Sequence, residues 1–285
     1  MKTTNELQTI ATQVRRDIIR MVSQISSGHP GGSMSATDVM TALYFKVMNI
    51  NPEKFTLNGK DEDMFYLSNG HISPVLYSVM ARRGYFPVEE LATFRHLGSR
   101  LQGHPSPAAK LPGIRVASGS LGQGLSVAAG SALAKKLDND TNKVFVMMGD
   151  GELEEGQIWE AAMFATAHKI DNLIAIVDWN NQQIDGSCQE VLPGSVNNLP
   201  DKFEAFGWRV LQVDGHNMEK VVETLEYAAT TATGKDKPVI ILAKTMMGKG
   251  VDFMEDTCEF HGKATNAEQT VTALEQLKTT PLGDY

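Results

Sequence analysis

Five short apolar runs constrain the fold most: Met64–Leu67, Val144–Met148, Leu173–Val177, Arg209–Val213 and Val239–Lys244, each bounded by turn residues. They are too short for helices and too uniformly apolar for strands with one wet face. They predict strands buried on both faces of a parallel sheet. Helix-period stretches lie between them, at roughly 72–83, 122–137, 155–169 and 218–231. An amphipathic helix is predicted over 5–25, where Leu7, Ile10, Val14, Ile18, Met21, Val22 and Ile25 recur three or four apart. A glycine-rich break, Gly28-His29-Pro30-Gly31-Gly32, follows. A second helix is then predicted from about Ala36 to Val47, with Thr37 and Asp38 as capping candidates. The alternation predicts an α/β fold with a doubly wound, mostly parallel sheet flanked by helices. Ligands in such folds bind beyond the C-terminal ends of the strands. No linker or repeat divides the chain, so 1–285 is read as a single domain. The tail after about Ala264 reads as a loop and a weak helix with no assigned role.

At about 150 residues per domain, 285 residues allow two domains or one large α/β domain. Hydrophobic residues at 42% and charged ones at 21% exclude disorder as a whole-chain explanation. A net charge of −8 argues against a broad nucleic-acid footprint, which needs a basic face. No uninterrupted apolar run approaches the roughly 18 residues of a membrane span. The start MKTTNELQTI lacks the apolar region of a secretory signal. The two cysteines, Cys188 and Cys258, have no metal-type spacing, and the expected setting is a reducing, cytoplasmic one.

Two strand ends carry the chemistry. Val144–Met148 runs into Gly149-Asp150-Gly151-Glu152, and a helix begins near Glu155. Leu173–Val177 runs into Asp178-Trp179-Asn180-Asn181-Gln182. One helix joins them, so a right-handed βαβ crossover places the two turns side by side. A lone Gly-Asp-Gly is an ordinary turn. Its pairing with an Asn-Asn turn one unit later is what makes it a site. Asp150 and Asn180 then offer one carboxylate and one amide oxygen, with backbone carbonyls nearby. Such an oxygen set, with open positions for phosphate oxygens, suits Mg²⁺ or Ca²⁺ bound together with a diphosphate. Gly151 lacks the Cβ that would obstruct a phosphate, and the amides of the following helix point at the same place.

Ser118-Gly119-Ser120-Leu121-Gly122-Gln123-Gly124 opens an Ala/Gly-rich helix. Taken alone it is a weak phosphate-loop signal, and close helix packing explains its small residues equally well. Four of the seven histidines, His29, His71, His104 and His261, sit in glycine-containing loops without zinc spacing. Any one alone reads as structural; four in one kind of context read as a binding site. Neutral imidazoles suit a place where hydroxyls form and collapse. His96, His168 and His216 are assigned surface or structural duty. Met147, Met148, Met246 and Met247 read as packing residues. Gly-Lys249-Gly lacks the rest of a phosphate-binding loop, and Lys249 is left as a loop residue.

Gly-Asp-Gly followed about thirty residues later by Asn-Asn resembles the thiamine diphosphate motif. The surrounding GDGELEEGQIWEAAMFATAHKIDNLIAIVDWNNQQIDG is similar to transketolases. The resemblance runs from the first helix to His261, with five separated motifs in order. It implies the thiamine diphosphate-binding fold, the diphosphate (PP-type) domain, with thiamine diphosphate and Mg²⁺ as cofactors (Ca²⁺ or Mn²⁺ as alternatives). It assigns Asp150, Asn180 and the Gln182 backbone carbonyl to the metal, and Gly151 to the diphosphate. Glu155 corresponds to a buried acid near the subunit interface. Gly119, Ser120 and Leu121 correspond to the loop that holds the diphosphate and packs on the thiazolium ring. His29, His71 and His104 match positions contacting substrate oxygens and cofactor, and His261 one near the diphosphate and the substrate C1 region.

Whole transketolases continue into a pyrimidine-binding domain and a C-terminal domain, which supply the acid that activates the aminopyrimidine. No segment of this chain matches them. The resemblance therefore implies the N-terminal subunit of a split transketolase, partnered by a chain carrying the pyrimidine-binding domain in an α₂β₂ assembly acting on sugar phosphates. Other readings are a deoxyxylulose-phosphate-synthase-like or 2-oxo acid dehydrogenase subunit, a non-catalytic cofactor-binding remnant, and, more distantly, a simple nucleotide-binding domain.

Overall fold

The computed structural model describes residues 2–285. Five parallel strands form the main sheet: β1 (Met64–Leu67), β2 (Val144–Gly149), β3 (Leu173–Trp179), β6 (Arg209–Asp214) and β7 (Val239–Lys244), in the order β1-β2-β3-β7-β6. All five predicted runs are strands, three of them extended by one or two residues. A two-stranded antiparallel hairpin, β4 (Gln182–Gln183) with β5 (Gly186–Ser187), stands at the end of β3.

Side-chain alternation splits the core into two layers. Phe65, Phe145, Met147, Ile174, Ile176 and Ile241 face one side. There α1 (Thr4–Gln24), α3 (Thr37–Ala42), α4 (Ser73–Arg83) and α9 (Met218–Tyr227) pack. Tyr66, Val146, Met148, Ala175, Val177 and Leu242 face the other, against α5 (Gln123–Leu137), α6 (Gly156–Ala167) and α8 (Leu199–Ala205). The expectation of strands buried on both faces holds for β1, β2, β3 and β7 but not for β6. In β6 only Val213 is buried, and the other five residues are half-buried or exposed.

The glycine-rich break holds at Gly28, φ 144°, and His29, which separate α1 from the next helix, but the chain is helical from Pro30 on. α2 (Pro30–Ser35) starts there with Pro30 in its first turn. A Cβ on Gly31 would lie 2.7 Å from Met247 Cγ and 2.8 Å from the Phe260 carbonyl oxygen; one on Gly32 would lie 2.9 Å from Ile72 Cγ2. The glycines are there for close approach, not to end a helix. The helix predicted over 36–47 is α3 followed by a π-helical turn over Leu43–Val47, with α2 just before it. Thr37 and Asp38 do not cap it. Thr37 Oγ1 donates to the Ser33 carbonyl at 2.8 Å, and buried Asp38 accepts two bonds from Arg15 at 2.6 and 3.1 Å. The helix predicted over 218–231 is α9, ending at Tyr227 and running into another π-helical turn.

α7 (Cys188–Val191) and α8 connect the hairpin to β6. The tail forms α10 (Ala267–Gln276), capped by Asn266, and is tied to α1: Arg16 donates to the carbonyls of Leu274 and Leu277 and to Asp284.

Candidate functional site

β2 and β3 are neighbours in register, with Gly149 opposite Asp178, so their C-terminal turns meet. Asp150 is 2% exposed. Its Oδ1 accepts the Gly151 N–H at 2.8 Å, and its Oδ2 accepts the Asn181 N–H. Asn181 takes a left-handed backbone, φ 61°, to make that turn. Burial, with the nearby Asp178 carboxylate adding to it, pushes the Asp150 carboxyl up to about 7. Asn180 Oδ1 accepts the Gln182 N–H at 2.9 Å, and its Nδ2 donates to Asp178. Asp178 also accepts the hydroxyls of Ser35 and Thr245, both at 2.5 Å, and burial raises its pKa as well.

These turns open onto a cleft of about 110 Å³. His71, Leu121, Asp150, Gly151, Asn180, Gln182 and His261 line it together. Its other walls include Glu152, Asp178, Ile184 and Met247, which the residue pattern does not single out as site residues. Met247 is a buried packing residue, as expected, but it is also cleft wall.

The glycine loop flanks the cleft. Gly119 and Gly122 have φ of 140° and 83°, a region side chains rarely enter. A Cβ on Gly119 would come within 3.1 Å of His104, so the loop lies directly against that ring. Gly119 and Ser120 are exposed, with Ser120 Oγ accepting from Gln123 at 3.1 Å; Leu121 is half-buried. Glu155, expected to be a buried acid, is exposed on this chain. It stands at the N-cap of α6, where a Cβ on Gly122 would come within 2.8 Å of its own Cβ. The buried acid of this turn is Glu152, 2% exposed. It accepts from Gly122 N–H, Gly149 N–H and Ser68 Oγ, and burial pushes its pKa up to about 7.

The four loop histidines converge. Ring centroids lie 5.1 Å apart for His29 and His71, 5.7 Å for His29 and His261, 5.1 Å for His71 and His261, and 6.4 Å for His29 and His104. Burial lowers the pKa of all four. Neighbouring imidazoles and Arg95 help to bring His29 down to about 4, and burial holds His71 well below the usual range. The cluster is neutral at pH 7 and can both donate and accept. His29 Nδ1, His261 Nδ1 and Asn69 Oδ1 are buried without hydrogen-bond partners. Buried polar atoms of this kind need a partner, and a polar ligand in the cleft would give them one.

The other three histidines stay outside the cluster. His168 packs on Phe164 at 4.3 Å, and His216 bridges Asp38 and the Met246 N–H. Lys249 pairs with Glu255 at 3.0 Å. Cys188 is buried, and burial beside Asp150 pushes its thiol far up. Among the described residues no group of three or more His, Cys, Asp or Glu side chains is arranged to hold a metal, and no helix is long and apolar enough to cross a membrane. The donors left for a cation are Asp150, the Asn180 amide oxygen and backbone carbonyls. Among the described residues no basic side chain pairs with buried Asp150 or Asp178, so a divalent cation fits the charge of the place.

Residues 7–283 match the family described as transketolase, thiamine diphosphate binding domain. A 6-deoxy-6-sulfo-D-fructose transketolase subunit from a Clostridium species is 40% identical over 273 residues, 96% of each chain. One of the apulose-4-phosphate transketolase subunits of Phocaeicola vulgatus is 39% identical, covering 92% of this chain and 90% of its own. Human transketolase is 38% identical over 90% of this chain but only 40% of its own. The solved transketolase of Campylobacter jejuni superposes with a TM-score of 0.87 at 34% identity, covering all of this chain and 44% of that one. The Pichia stipitis enzyme in complex with sedoheptulose 7-phosphate gives 0.88 at 29%, over 99% of this chain and 42% of its own. This chain thus spans about two fifths of single-chain transketolases and nearly all of the two separate subunits. It belongs to the transketolase family and corresponds to the family's N-terminal, thiamine diphosphate-binding part.

Proposed function

We propose that this chain is the cofactor-holding N-terminal subunit of a two-subunit transketolase that moves a two-carbon ketol unit from a ketose, phosphorylated or otherwise substituted, to an aldose. One observation carries the proposal. The acidic turn, the Asn-Asn turn, His71 and His261 meet on one cleft, with His29 and His104 clustered beside those two rings, in a chain that relatives named as subunits match over more than nine tenths of its length. Relatives matched over nine tenths or more of their own length are named as subunits, which supports a partner chain completing the site. That partner would carry the pyrimidine-binding domain, in an α₂β₂ assembly in the cytoplasm. Residues 1–285 would act as one diphosphate-binding domain.

Bound thiamine diphosphate supplies a nucleophilic carbon and an electron sink for making and breaking a carbon–carbon bond next to a carbonyl. The chain's residues do the rest. Asp150, Asn180 and the Gln182 carbonyl would hold Mg²⁺, or Ca²⁺ or Mn²⁺ in its place. Gly151 would leave room for the diphosphate, with Gly119, Ser120 and Leu121 on its other side. His71 and His261 would bond cofactor and substrate oxygens, and His29 and His104 substrate hydroxyls. As neutral imidazoles they would take and return hydroxyl protons without bringing fixed charge into a dry site. Glu155 would meet the partner at the interface.

The test is reconstitution. The chain is purified alone and with a C-terminal transketolase-type subunit, and ketol transfer is followed with thiamine diphosphate and Mg²⁺. Transfer is expected only from the pair. Appreciable transfer by this chain alone, or CO₂ release from a 2-oxo acid by the pair, would overturn the reading.

A further inference from the structure

We propose that Glu152 is a positioning residue that clasps the glycine loop to the acidic turn and thereby sets the spacing between the two walls facing the diphosphate. The inference rests on the cofactor reading above. Its geometric part is independent of that reading.

The Glu152 carboxylate gathers three separate elements. Oε1 accepts the Gly122 N–H at 2.7 Å, at the start of α5, and the Ser68 hydroxyl, at the end of β1. Oε2 accepts the Gly149 N–H at 3.1 Å, at the end of β2. Ser68 is itself oriented, because its Oγ accepts the Gly124 N–H at 3.0 Å and its proton is left for Glu152. The packing leaves no slack. A Cβ on Gly124 would fall 2.4 Å from Ser68 Cβ, and one on Gly122 2.8 Å from Glu155 Cβ. The loop's outer part, Gly119 and Ser120, is exposed, so its position depends on such inner anchors.

A carboxylate is the group this place requires. All three partners donate, and two are backbone amides that cannot turn round. Glutamine keeps the length but replaces one acceptor oxygen with a donor, so it faces either Gly122 or Gly149 with two opposed N–H groups. Aspartate keeps both acceptors but is one methylene short of spanning them. An unmet buried donor corresponds to about ten-fold in an equilibrium.

The experiment compares wild type, Glu152→Gln and Ser68→Ala. Amide hydrogen exchange is read on the ligand-free full chain. The dissociation constant for thiamine diphosphate with Mg²⁺ is read by calorimetry on the complex with the C-terminal subunit. Glu152→Gln is expected to speed exchange in 119–124 and 149–152 while α1 and β3 stay protected, and to weaken cofactor binding about ten-fold or more. Ser68→Ala should do the same to a smaller degree. Unchanged exchange and affinity in Glu152→Gln would overturn the inference. So would faster exchange throughout the chain, which marks general destabilisation. If the wild-type complex fails to bind the cofactor, the functional reading falls, and the exchange comparison still decides whether Glu152 holds the loop.

Discussion

Asn180 Nδ2 donates to Asp178 Oδ2 at 2.9 Å, and this bond turns the amide oxygen of Asn180 away from Asp178, toward the Gln182 N–H. Which end of an amide faces a ligand is decided by such a partner. Here the partner is an acceptor that also receives the Ser35 and Thr245 hydroxyls. Asp178→Asn removes one acceptor oxygen and allows the Asn180 amide to flip. The Mg²⁺ concentration that half-saturates cofactor binding is expected to rise about ten-fold, as for other partners behind a ligand. A magnesium titration of thiamine diphosphate binding in the reconstituted complex measures it. An unchanged midpoint would show that Asp178 does not orient Asn180.

Asp150→Ala takes away the only carboxylate proposed for the cation. Cofactor affinity in the complex is expected to fall by about a hundred-fold or more and to lose its dependence on Mg²⁺. Calorimetry with and without chelator reads both effects. Wild-type affinity in the variant would locate the metal elsewhere.

The histidine cluster makes stability pH-dependent. His29 titrates near 4 in the folded chain and near 6.5 when unfolded. Between those values the unfolded chain binds the proton and the folded chain does not, so the contribution of His29 to stability falls as pH drops from about 6.5 toward 4. The raised carboxyls of Asp150 and Glu152 act in the opposite direction over the same range, so the His29 effect is read as a difference between two proteins. The denaturant midpoint of ligand-free wild type minus that of His29→Gln should fall from pH 7.5 to 4.5. Equal slopes in the two proteins would mean that the buried imidazole does not drive the loss.

Two glycines should respond oppositely to alanine. Gly31→Ala forces a methyl onto Met247 and the Phe260 carbonyl and is expected to cost about 2 kcal/mol or more. Gly130 lies inside α5, with nothing within 4 Å of a Cβ built there. Gly130→Ala should stabilise the isolated chain by ~0.5–1 kcal/mol. Urea unfolding of both variants gives the comparison, and the sign difference is the result at stake.

The legible parts of the fold are those written in local pattern. The runs at 64–67 and 239–244 match their strands to the residue, because burial on both faces leaves no polar position inside them. Asp150 and Asn180 are legible as neighbours because one βα unit separates them. The misreadings share a cause, which is partners far along the chain. Gly31 and Gly32 look like a break until Met247 and Phe260, more than 200 residues on, press against the first of them. Glu152 is one acid among several in its turn until Ser68, 84 residues earlier, meets it. Asp178 carries a signal visible in the sequence, a lone charge next to the end of an otherwise apolar strand. The exposure of Glu155 follows from the packing of α6, which the residue pattern alone does not specify.

The tie between Arg16 and Asp284 spans 268 positions. α1 lies at the heart of one core layer, yet the guanidinium on it is satisfied only by carbonyls of the tail and by Asp284. During synthesis this helix emerges long before the tail, and its buried cation waits for partners 258 to 268 positions further on. Closure of that layer is therefore a late, long-range step. A ribosome stalled before the tail has emerged would hold a chain with the turns after β2 and β3 already made and Arg16 of α1 still without its partners.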